Sequence, residues 1–393
     1  MNGISKKTIL RSAWPPLLAA LIACLLVPLG IALASSEPSA RQIDAIFEAV
    51  ASPRDPGLAV LVRKGGRTIF ERGYGLRDLR SGLPIDEHTD FRLASFTKQF
   101  TAMAVMFLVH DGKLRYDEHL TDVFPEFPAY GKTITIREIL NHTSGLAAYE
   151  DLMDKQYAGK SPEEIPQIHD AGVLALMEQQ TGTKFPPGTR WEYSNGGYCV
   201  LAMVVEKISG MAFGEFLRRR IFEPLGMSRT LAFEYGKSTV PERAYGYTND
   251  AGVWLETDQS PTSATLGDGG VYTNLEDLSK WDDALRNHTL LSAAEFQPAI
   301  TPALPPETIA SADGSKFFTD ADGKPVSYGF GWFLNPHRGH ERMWHTGGTI
   351  GFRTVIERFT KDDVTVIVLA NQSDRDVASL ALKVADLFFT SSN

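Results

Sequence analysis

Strand-like patterns occur at both ends of this chain, and helical patterns fill its middle. Residues 57–75 read GLAVLVRKGGRTIFERGYG, in which two β-rich runs flank Gly65–Gly66, and this pattern is typical of a hairpin. Strand-like runs return near the end in SYGFGWFLN, MWHTGGTIGFRTVIERFT and DVTVIVLANQ. Strands separated by so long a helical stretch indicate an α+β fold, with one antiparallel sheet assembled from both ends of the chain.

The helical middle is predicted to be an insertion from about residue 114 to residue 265. Its clearest helices lie in ITIREILNHTSGL and GGYCVLAMVVEKISGMAFGEFLRRRIFEPLGM. Further helices are predicted in RQIDAIFEAV, in LEDLSKWDDALRN and, closing the chain, in RDVASLALKVADLFF. We expect the active site in the cleft between the sheet and the inserted helices, because ligand pockets form between such parts.

The first 34 residues differ from the rest. They carry three positive charges and no acidic residue, then an apolar run from about Ala13 and small residues near Ala34. This order is typical of a secretory signal, with cleavage predicted after Ala34. An uncleaved membrane anchor is the alternative, since the apolar run is nearly long enough to span a bilayer. The stretch Leu21–Cys24 loosely resembles a lipoprotein box, but apolar residues continue beyond Cys24.

All three interpretations predict an exported protein, periplasmic or extracellular, whose domain covers residues 35–393. It would touch a membrane only through the N-terminal segment. Without that segment 36 basic residues face 48 acidic ones, a formal charge of −12. An acidic surface of this kind argues against nucleic acid as a partner.

One strand-to-helix junction carries the strongest chemical signal. In FRLASFTKQFTAMAVMFLVHDGK an extended segment runs into an apolar helix that is predicted to end at Asp111–Gly112. At the junction stand Ser95 and Lys98, which form the only S-x-x-K pair in the sequence. A helix cap plus a surface charge is one interpretation, because serine is a common N-cap. The other is a nucleophile with its activating amine, since residues three apart share a helix face.

Four motifs in order resemble the serine β-lactamase-like superfamily. They are SFTK, ILNHTSGL, WEYSNGGY and HTGGTIGF, and the similarity runs from about Ile43 to the C-terminus. The branch resembled is the class C type, which includes D,D-peptidases and related esterases. The resemblance implies a β-lactamase/transpeptidase-like fold and hydrolysis through an acyl-enzyme.

The resemblance also implies roles for individual residues. These are Ser95 as nucleophile, Lys98 as its activator, Tyr193 as proton acceptor and donor, Asn195 as a partner of Lys98 and of a substrate amide, Thr346 and Gly347 as strand residues that bind the acyl part, and the backbone N–H groups of Ser95 and Gly348 as the oxyanion hole. Y-x-N also occurs at Tyr247 and Tyr272, which we interpret as structural because only Tyr193 has the family context. The NHTSGL motif, Asn141–Leu146, is interpreted as structural too.

His345 replaces the lysine that is usual in class C β-lactamases, and histidine here resembles certain D,D-peptidases and esterases. An imidazole holds a substrate carboxylate by charge only below about pH 6.5, and otherwise by a hydrogen bond. Because of this replacement, we rank peptidase or esterase activity slightly above β-lactamase activity as the expected function.

The sequence thus predicts an exported serine hydrolase that acts on a small-molecule or peptide substrate. The candidate substrates are a D-alanyl peptide, a small ester and a β-lactam. No cofactor is expected and no metal, since S-x-x-K chemistry needs none and no zincin spacing occurs. The alternative function is a sensor or scaffold module that is acylated by penicillin without turnover.

Overall fold

Strands from both ends of the chain form one antiparallel sheet, as predicted. The structure, a computed structural model, describes residues 37–303, 319–320 and 323–389, so the predicted leader lies outside it. The strands in the described part are β1 (Leu58–Lys64), β2 (Arg67–Tyr74), β3 (Leu76–Asp78), β4 (Leu83–Pro84), β5 (Phe91–Arg92), β6 (Leu231–Ala232), β7 (Tyr247–Asp250), β8 (Val253–Glu256), β9 (Val271–Thr273), β10 (Ser327–Tyr328), β11 (Phe333–Leu334), β12 (Arg342–Thr349), β13 (Phe352–Phe359) and β14 (Val364–Ala370).

The main sheet has the strand order β10-β11-β12-β13-β14-β1-β2. The first strand, β1, pairs antiparallel with β2 through the hairpin predicted at Gly65–Gly66, which is confirmed, and on its other side with β14. This second pairing joins the two ends of the chain. The order also leaves β12, which carries the H-T-G motif, between β11 and β13.

Both faces of the central strands are buried, so the sheet is the middle layer of the molecule. Along β1, Ala59 and Leu61 face a large core shared with the inserted helices, whereas Val60 and Val62 face a second core. Residues of the first and last helices close this second core. The near-continuous apolar run of β1 follows from burial on both sides of the pleat.

The helices lie on both sides of the sheet. In the described part they are α1 (Ala40–Glu48), α2 (Lys98–His110), α3 (Leu120–Val123), α4 (Ile136–Leu140), α5 (Tyr149–Gln156), α6 (Asp170–Glu178), α7 (Asn195–Ser209), α8 (Phe213–Leu217), α9 (Glu223–Leu225), α10 (Leu275–Asn287), α11 (Ala293–Phe296) and α12 (Val377–Asp386). Nearly all residues of α2 are buried, which explains why it is apolar on every side. None of the helices in these ranges is both long and apolar enough to cross a membrane.

The inserted region is helical over a shorter stretch than predicted. Its helices end at Leu225, and β6, β7 and β8 follow before residue 265. The segment from Tyr247 to Glu256 forms a hairpin, because aromatic and β-branched residues flank a turn at Ala251–Gly252, where both residues have positive φ.

Candidate active site

Ser95 and Lys98 are in direct contact at the start of α2. Ser95 lies in a 3₁₀ turn, Ala94–Thr97, and the Nζ atom of Lys98 donates a hydrogen bond to Ser95 Oγ over 3.0 Å. The N-cap of α2 is Thr97, which makes no side-chain capping bond. Lys98 is fully buried. The interpretation as a helix cap and a surface charge is therefore wrong.

Three acceptors surround the amine of Lys98. Besides Ser95 Oγ, Nζ donates to Asn195 Oδ1 over 2.8 Å and to the backbone carbonyl of Asp268 over 2.9 Å. An ammonium group has three N–H donors, so each has an acceptor. Nζ also lies 4.9 Å from the ring centroid of Tyr193 and 5.5 Å from that of Tyr198, where an aromatic face favours a positive charge. The buried amine of Lys98 is therefore held in place beside the serine by hydrogen bonds and aromatic rings.

The backbone just before Ser95 is strained. Ala94 has φ of 50°, in the left-handed region, and its side chain is buried. A non-glycine residue in such a conformation costs about 1 to 3 kcal/mol and persists only where packing enforces it. The carbonyl of Leu93 accepts a hydrogen bond from Thr354 Oγ1 over 2.7 Å, which ties this turn to β13. Strain of this kind at the candidate nucleophile is typical of active sites.

Tyr193 lies beside Lys98, but its hydroxyl does not bond to Lys98 or to Ser95. The ring packs 4.4 Å from that of His142 and 6.2 Å from that of His345, centroid to centroid. The hydroxyl is buried and has no hydrogen-bond partner among the described residues. The structure therefore brings the ring of Tyr193 to the site and leaves its phenol oxygen available.

The NHTSGL motif supports the loop that carries Tyr193. His142 Nδ1 accepts a hydrogen bond from the backbone N–H of Ser194 over 3.2 Å, and the His142 carbonyl accepts one from Glu192 over 3.0 Å. The Thr143 carbonyl accepts another from Gly188 over 2.9 Å. Burial and the charge of Lys98 hold the pKa of His142 well below its ordinary value, so the ring stays neutral.

The other two Y-x-N motifs make hydrogen bonds within the fold. The Tyr247 hydroxyl accepts a hydrogen bond from the backbone N–H of Leu79 over 2.9 Å. Asn274 follows Tyr272 and caps α10, where its Oδ1 accepts from the backbone N–H of Asp277 over 2.9 Å.

The H-T-G segment of β12 lies against the turn that holds Ser95. A Cβ atom on Gly347 would stand 2.0 Å from the Leu93 carbonyl oxygen, so only glycine permits this approach. On the side toward β11, β12 is paired only at Met343 and Trp344. The stretch Thr346–Thr349 therefore has no strand neighbour on that side among the described residues, and Gly348 is exposed there. Such an edge offers backbone groups to an extended substrate.

His345 requires a correction to the predicted charge-based role. The side chain is 1% exposed, and burial together with the charge of Lys98 lowers its pKa to about 3. The imidazole is therefore neutral at pH 6, so of the two ways predicted for holding a carboxylate, by charge below about pH 6.5 or by a hydrogen bond, only the hydrogen bond remains a prediction. A cation at this position would be buried among aromatic rings next to a second cation.

Two carboxyl groups that hold the partners of Lys98, directly or through the chain next to them, were not predicted from the sequence. Glu150 Oε1 accepts a hydrogen bond from Asn195 Nδ2 over 2.8 Å, and burial raises the pKa of Glu150. Asp170 accepts hydrogen bonds from the backbone N–H groups of Leu266 and Gly267 over 2.8 and 3.0 Å. These contacts position the segment that supplies the Asp268 carbonyl. These contacts could not be predicted from a local sequence pattern. Glu150 and Asn195 are 45 residues apart, and Asp170 and Gly267 are 97 residues apart.

Asp170 is expected to make stability depend on pH. Burial raises its pKa from 3.8 to about 7, so its charged form is disfavoured in the folded state. Its contribution to stability is complete below about pH 4 and is lost as the pH rises through 7. The unfolding free energy of wild type should therefore fall between pH 5.5 and pH 8. In Asp170→Asn the fall over the same range should be smaller, by an amount on the order of 1 kcal/mol.

Urea unfolding at the two pH values measures this difference. Asp90 and Glu357, whose pKa values burial also raises to about 7, remain in both proteins and cancel in the comparison. An equal loss in wild type and variant would show that Asp170 does not titrate in this range.

Two histidine side chains elsewhere each contact an acidic side chain. His337 Nε2 contacts Asp386 over 2.8 Å, and His340 Nδ1 contacts Asp362 over 2.9 Å. Across 37–303, 319–320 and 323–389, no three His, Cys, Asp or Glu side chains are arranged to hold a metal ion.

The fold and the site together define the β-lactamase/transpeptidase-like class. A sheet made from both chain ends packs on inserted helices, with S-x-x-K at the start of the buried helix and H-T-G on the facing strand. The chain belongs to the family described as "Beta-lactamase", whose sequence model matches residues 43–388. This family contains acylating hydrolases.

Individual relatives agree with this assignment. "Penicillin-binding protein 4*" of Bacillus subtilis is 31% identical over 364 residues, which are 88% of this chain and 75% of the relative. The octameric penicillin-binding protein homologue from Pyrococcus abyssi superposes with a TM-score of 0.72 at 25% identity, over 88% of this chain and 76% of that one. D-amino acid amidase from Ochrobactrum anthropi superposes with a TM-score of 0.70 at 24% identity, over 88% and 96% of the two chains, and shows a shared fold.

Proposed function

We propose that this protein is an exported serine hydrolase that cleaves an amide or ester through an acyl-enzyme on Ser95. The observation that carries the proposal is the 3.0 Å hydrogen bond between Ser95 Oγ and the fully buried amine of Lys98. Burying a lysine amine is costly unless it is hydrogen-bonded, and buried ionisable groups beside a nucleophile cluster at functional sites. Export rests on the basic, apolar and small-residue order of residues 1–34.

In the proposed reaction Ser95 Oγ attacks the substrate carbonyl carbon and gives up its proton. The cationic form of Lys98 stabilises the developing alkoxide, and Tyr193 in its deprotonated, phenolate form takes the proton when substrate binding brings its oxygen to Ser95. The carbonyl oxygen becomes an oxyanion held by the N–H groups of Ser95 and Gly348. Tyr193 then protonates the leaving amine or alcohol. Water, deprotonated by the same phenolate, releases the acyl group and restores Ser95.

Two charged side chains near the site favour different substrates. Arg353, whose side chain lies 3.7 Å from where a Gly348 Cβ would be, donates hydrogen bonds to the Thr349 and Phe352 carbonyls and has no ion pair among the described residues. It would attract an anionic group such as the carboxylate of a D-alanyl peptide. Glu150 would attract an ammonium group, which suits an amino-acid amide, and the Ochrobactrum relative is a D-amino acid amidase. We rank a peptide or an ester above an amino-acid amide as the proposed substrate.

Mass spectrometry after incubation with a fluorophosphonate and with a penicillin tests the proposed function. A fluorophosphonate adduct on Ser95 and a penicilloyl adduct that decays are expected. Absence of both adducts would contradict the proposal that the protein is a serine hydrolase. A penicilloyl adduct that never decays would instead support the sensor or scaffold module. A panel of nitrocefin, a D-Ala-D-Ala peptide, an amino-acid amide and short-chain esters then separates the substrate classes.

Tyr193→Phe is expected to reduce turnover of a chromogenic ester about 10² to 10⁴-fold, because the variant keeps the ring but loses the only proton acceptor proposed for the reaction. Steady-state kcat and KM measure the effect. Tyr247→Phe and Tyr272→Phe are matched controls that each remove one buried or half-buried hydroxyl from a structural Y-x-N motif. Near-normal turnover in Tyr193→Phe, with loss in either control, would reverse the assignment.

A further inference from the structure

Two buried side chains form a chain of hydrogen bonds that ends on the backbone of the H-T-G segment. The Tyr328 hydroxyl lies 3.0 Å from His345 Nε2, and His345 Nδ1 lies 2.6 Å from the carbonyl oxygen of Thr346. Tyr328 and His345 are each 1% exposed. The contact between Tyr328 and His345 is therefore buried, and the contact with the Thr346 carbonyl is partly buried.

The Thr346 carbonyl at one end and the Tyr328 hydroxyl at the other determine which nitrogen of His345 carries the proton. A carbonyl oxygen only accepts hydrogen bonds, so His345 Nδ1 must carry a proton and donate it to Thr346. His345 is neutral, since its pKa is lowered to about 3, and its Nε2 therefore has a lone pair. The O–H of Tyr328 donates to this lone pair. Tyr328 thus selects the tautomer of His345 that can hold the Thr346 carbonyl.

The place of Thr346 connects these hydrogen bonds to catalysis. Thr346 begins the stretch of β12 that lacks a strand neighbour toward β11 in the described structure, and Gly348 follows two residues later. On its other edge this stretch is paired with β13, so the bond from His345 Nδ1 adds a second restraint, on the edge that has no strand neighbour. Oxyanion donors act only when they are placed within a fraction of an ångström of the developing charge.

We propose that Tyr328 and His345 are positioning residues: together they hold the Thr346 carbonyl and so keep the Gly348 N–H in place for the oxyanion. In this role His345 acts as a neutral hydrogen-bond donor to the protein's own backbone and does not bind substrate. This inference rests on the proposed function for its catalytic consequence, whereas the tautomer of His345 is independent of any reaction.

Long-range ¹H–¹⁵N spectra of histidine-labelled full-length protein test the tautomer directly. The His345 signals, identified by their loss in His345→Asn, should show a neutral Nδ1–H ring that does not change between pH 5 and pH 8. The charged and titratable groups that face this ring are Lys98, His142, Tyr193 and Tyr328. An Nε2–H ring, or titration of His345 within that range, would overturn the inference even if the protein hydrolyses nothing.

Steady-state kinetics test the positioning role, once the fluorophosphonate has been shown to label Ser95. Tyr328→Phe should lower kcat about threefold to tenfold and leave KM within about twofold, as expected for loss of one buried hydrogen bond. Tyr130→Phe is the matched control, since its hydroxyl donates to the Met177 carbonyl over 2.6 Å in another part of the fold. Equal kcat values in the two variants would contradict the role of Tyr328.

Substitution of His345 separates positioning from substrate binding. An asparagine amide can place a donor where Nδ1 stood, so His345→Asn should keep most of kcat. His345→Gln places its amide further out and should lose about tenfold, the cost of a buried carbonyl left unpaired. If both substitutions instead raise KM for anionic substrates alone and leave kcat unchanged, His345 binds substrate and the inference fails.

Discussion

Replacing Lys98 with methionine is expected to lower kcat about 10³-fold, the upper end of the range for removing one group that stabilises charge in the transition state. Methionine has nearly the length of lysine and fills the same buried space, but it cannot stabilise an alkoxide on Ser95. The loss should appear in kcat more than in KM, because the amine contacts Ser95 Oγ, the atom on which charge develops in the transition state.

The stability of this variant should change little by comparison. The substitution leaves Asn195 Oδ1 and the Asp268 carbonyl without their donor, which is unfavourable, but it also removes a charge from a fully buried position. Thermal unfolding measures the balance. Lys113→Met, at an exposed lysine just beyond the end of α2, is the control for the loss of one charge. Retention of more than about a tenth of wild-type kcat in Lys98→Met would exclude the essential role of Lys98, since that loss is far below the effect of such groups.

The parts of the site that follow from local spacing could be predicted from the sequence. Ser95 and Lys98 are three residues apart at a helix start, and that separation alone brings Oγ and Nζ together. The apolar steps of α2 and the hairpin at Gly65–Gly66 are likewise local. The antiparallel sheet followed from the placement of strand-like segments at the two ends, because such segments need partners to bury their apolar faces.

The parts that were missed depend on contacts between distant segments. The backbone carbonyl of Asp268 accepts a hydrogen bond from Lys98. Every residue type has such a carbonyl, so the sequence does not identify which one is used. The burial of His345 depends on how β10 and β11 pack their aromatic rings around it, and the short pairing of β11 with β12 is not visible in the periodicity. A polar residue on a strand is expected to face a cleft or solvent, and here tertiary packing overrides that expectation.

Gly347→Ala is expected to lower both stability and turnover strongly. The new Cβ would stand 2.0 Å from the Leu93 carbonyl oxygen and 2.3 Å from Thr354 Oγ1, and the first of these atoms is backbone that cannot rotate away. Relief of the clash must separate β12 from the turn that carries Ser95. We expect a loss of about 2 to 4 kcal/mol in unfolding free energy, as for severe overpacking.

The same displacement should reduce kcat about 100-fold, because it moves the proposed oxyanion donor of Gly348 away from that of Ser95. Gly348→Ala is the matched control: it adds the same methyl group one residue later, keeps the N–H, and meets nothing nearer than Arg353 Nη1 at 3.7 Å. Its unfolding free energy should stay within about 0.5 kcal/mol of wild type. Equal stability in the two variants would show that the turn and β12 are not packed this closely. A destabilised Gly347→Ala with normal kcat would show that this contact does not set the geometry of the oxyanion hole.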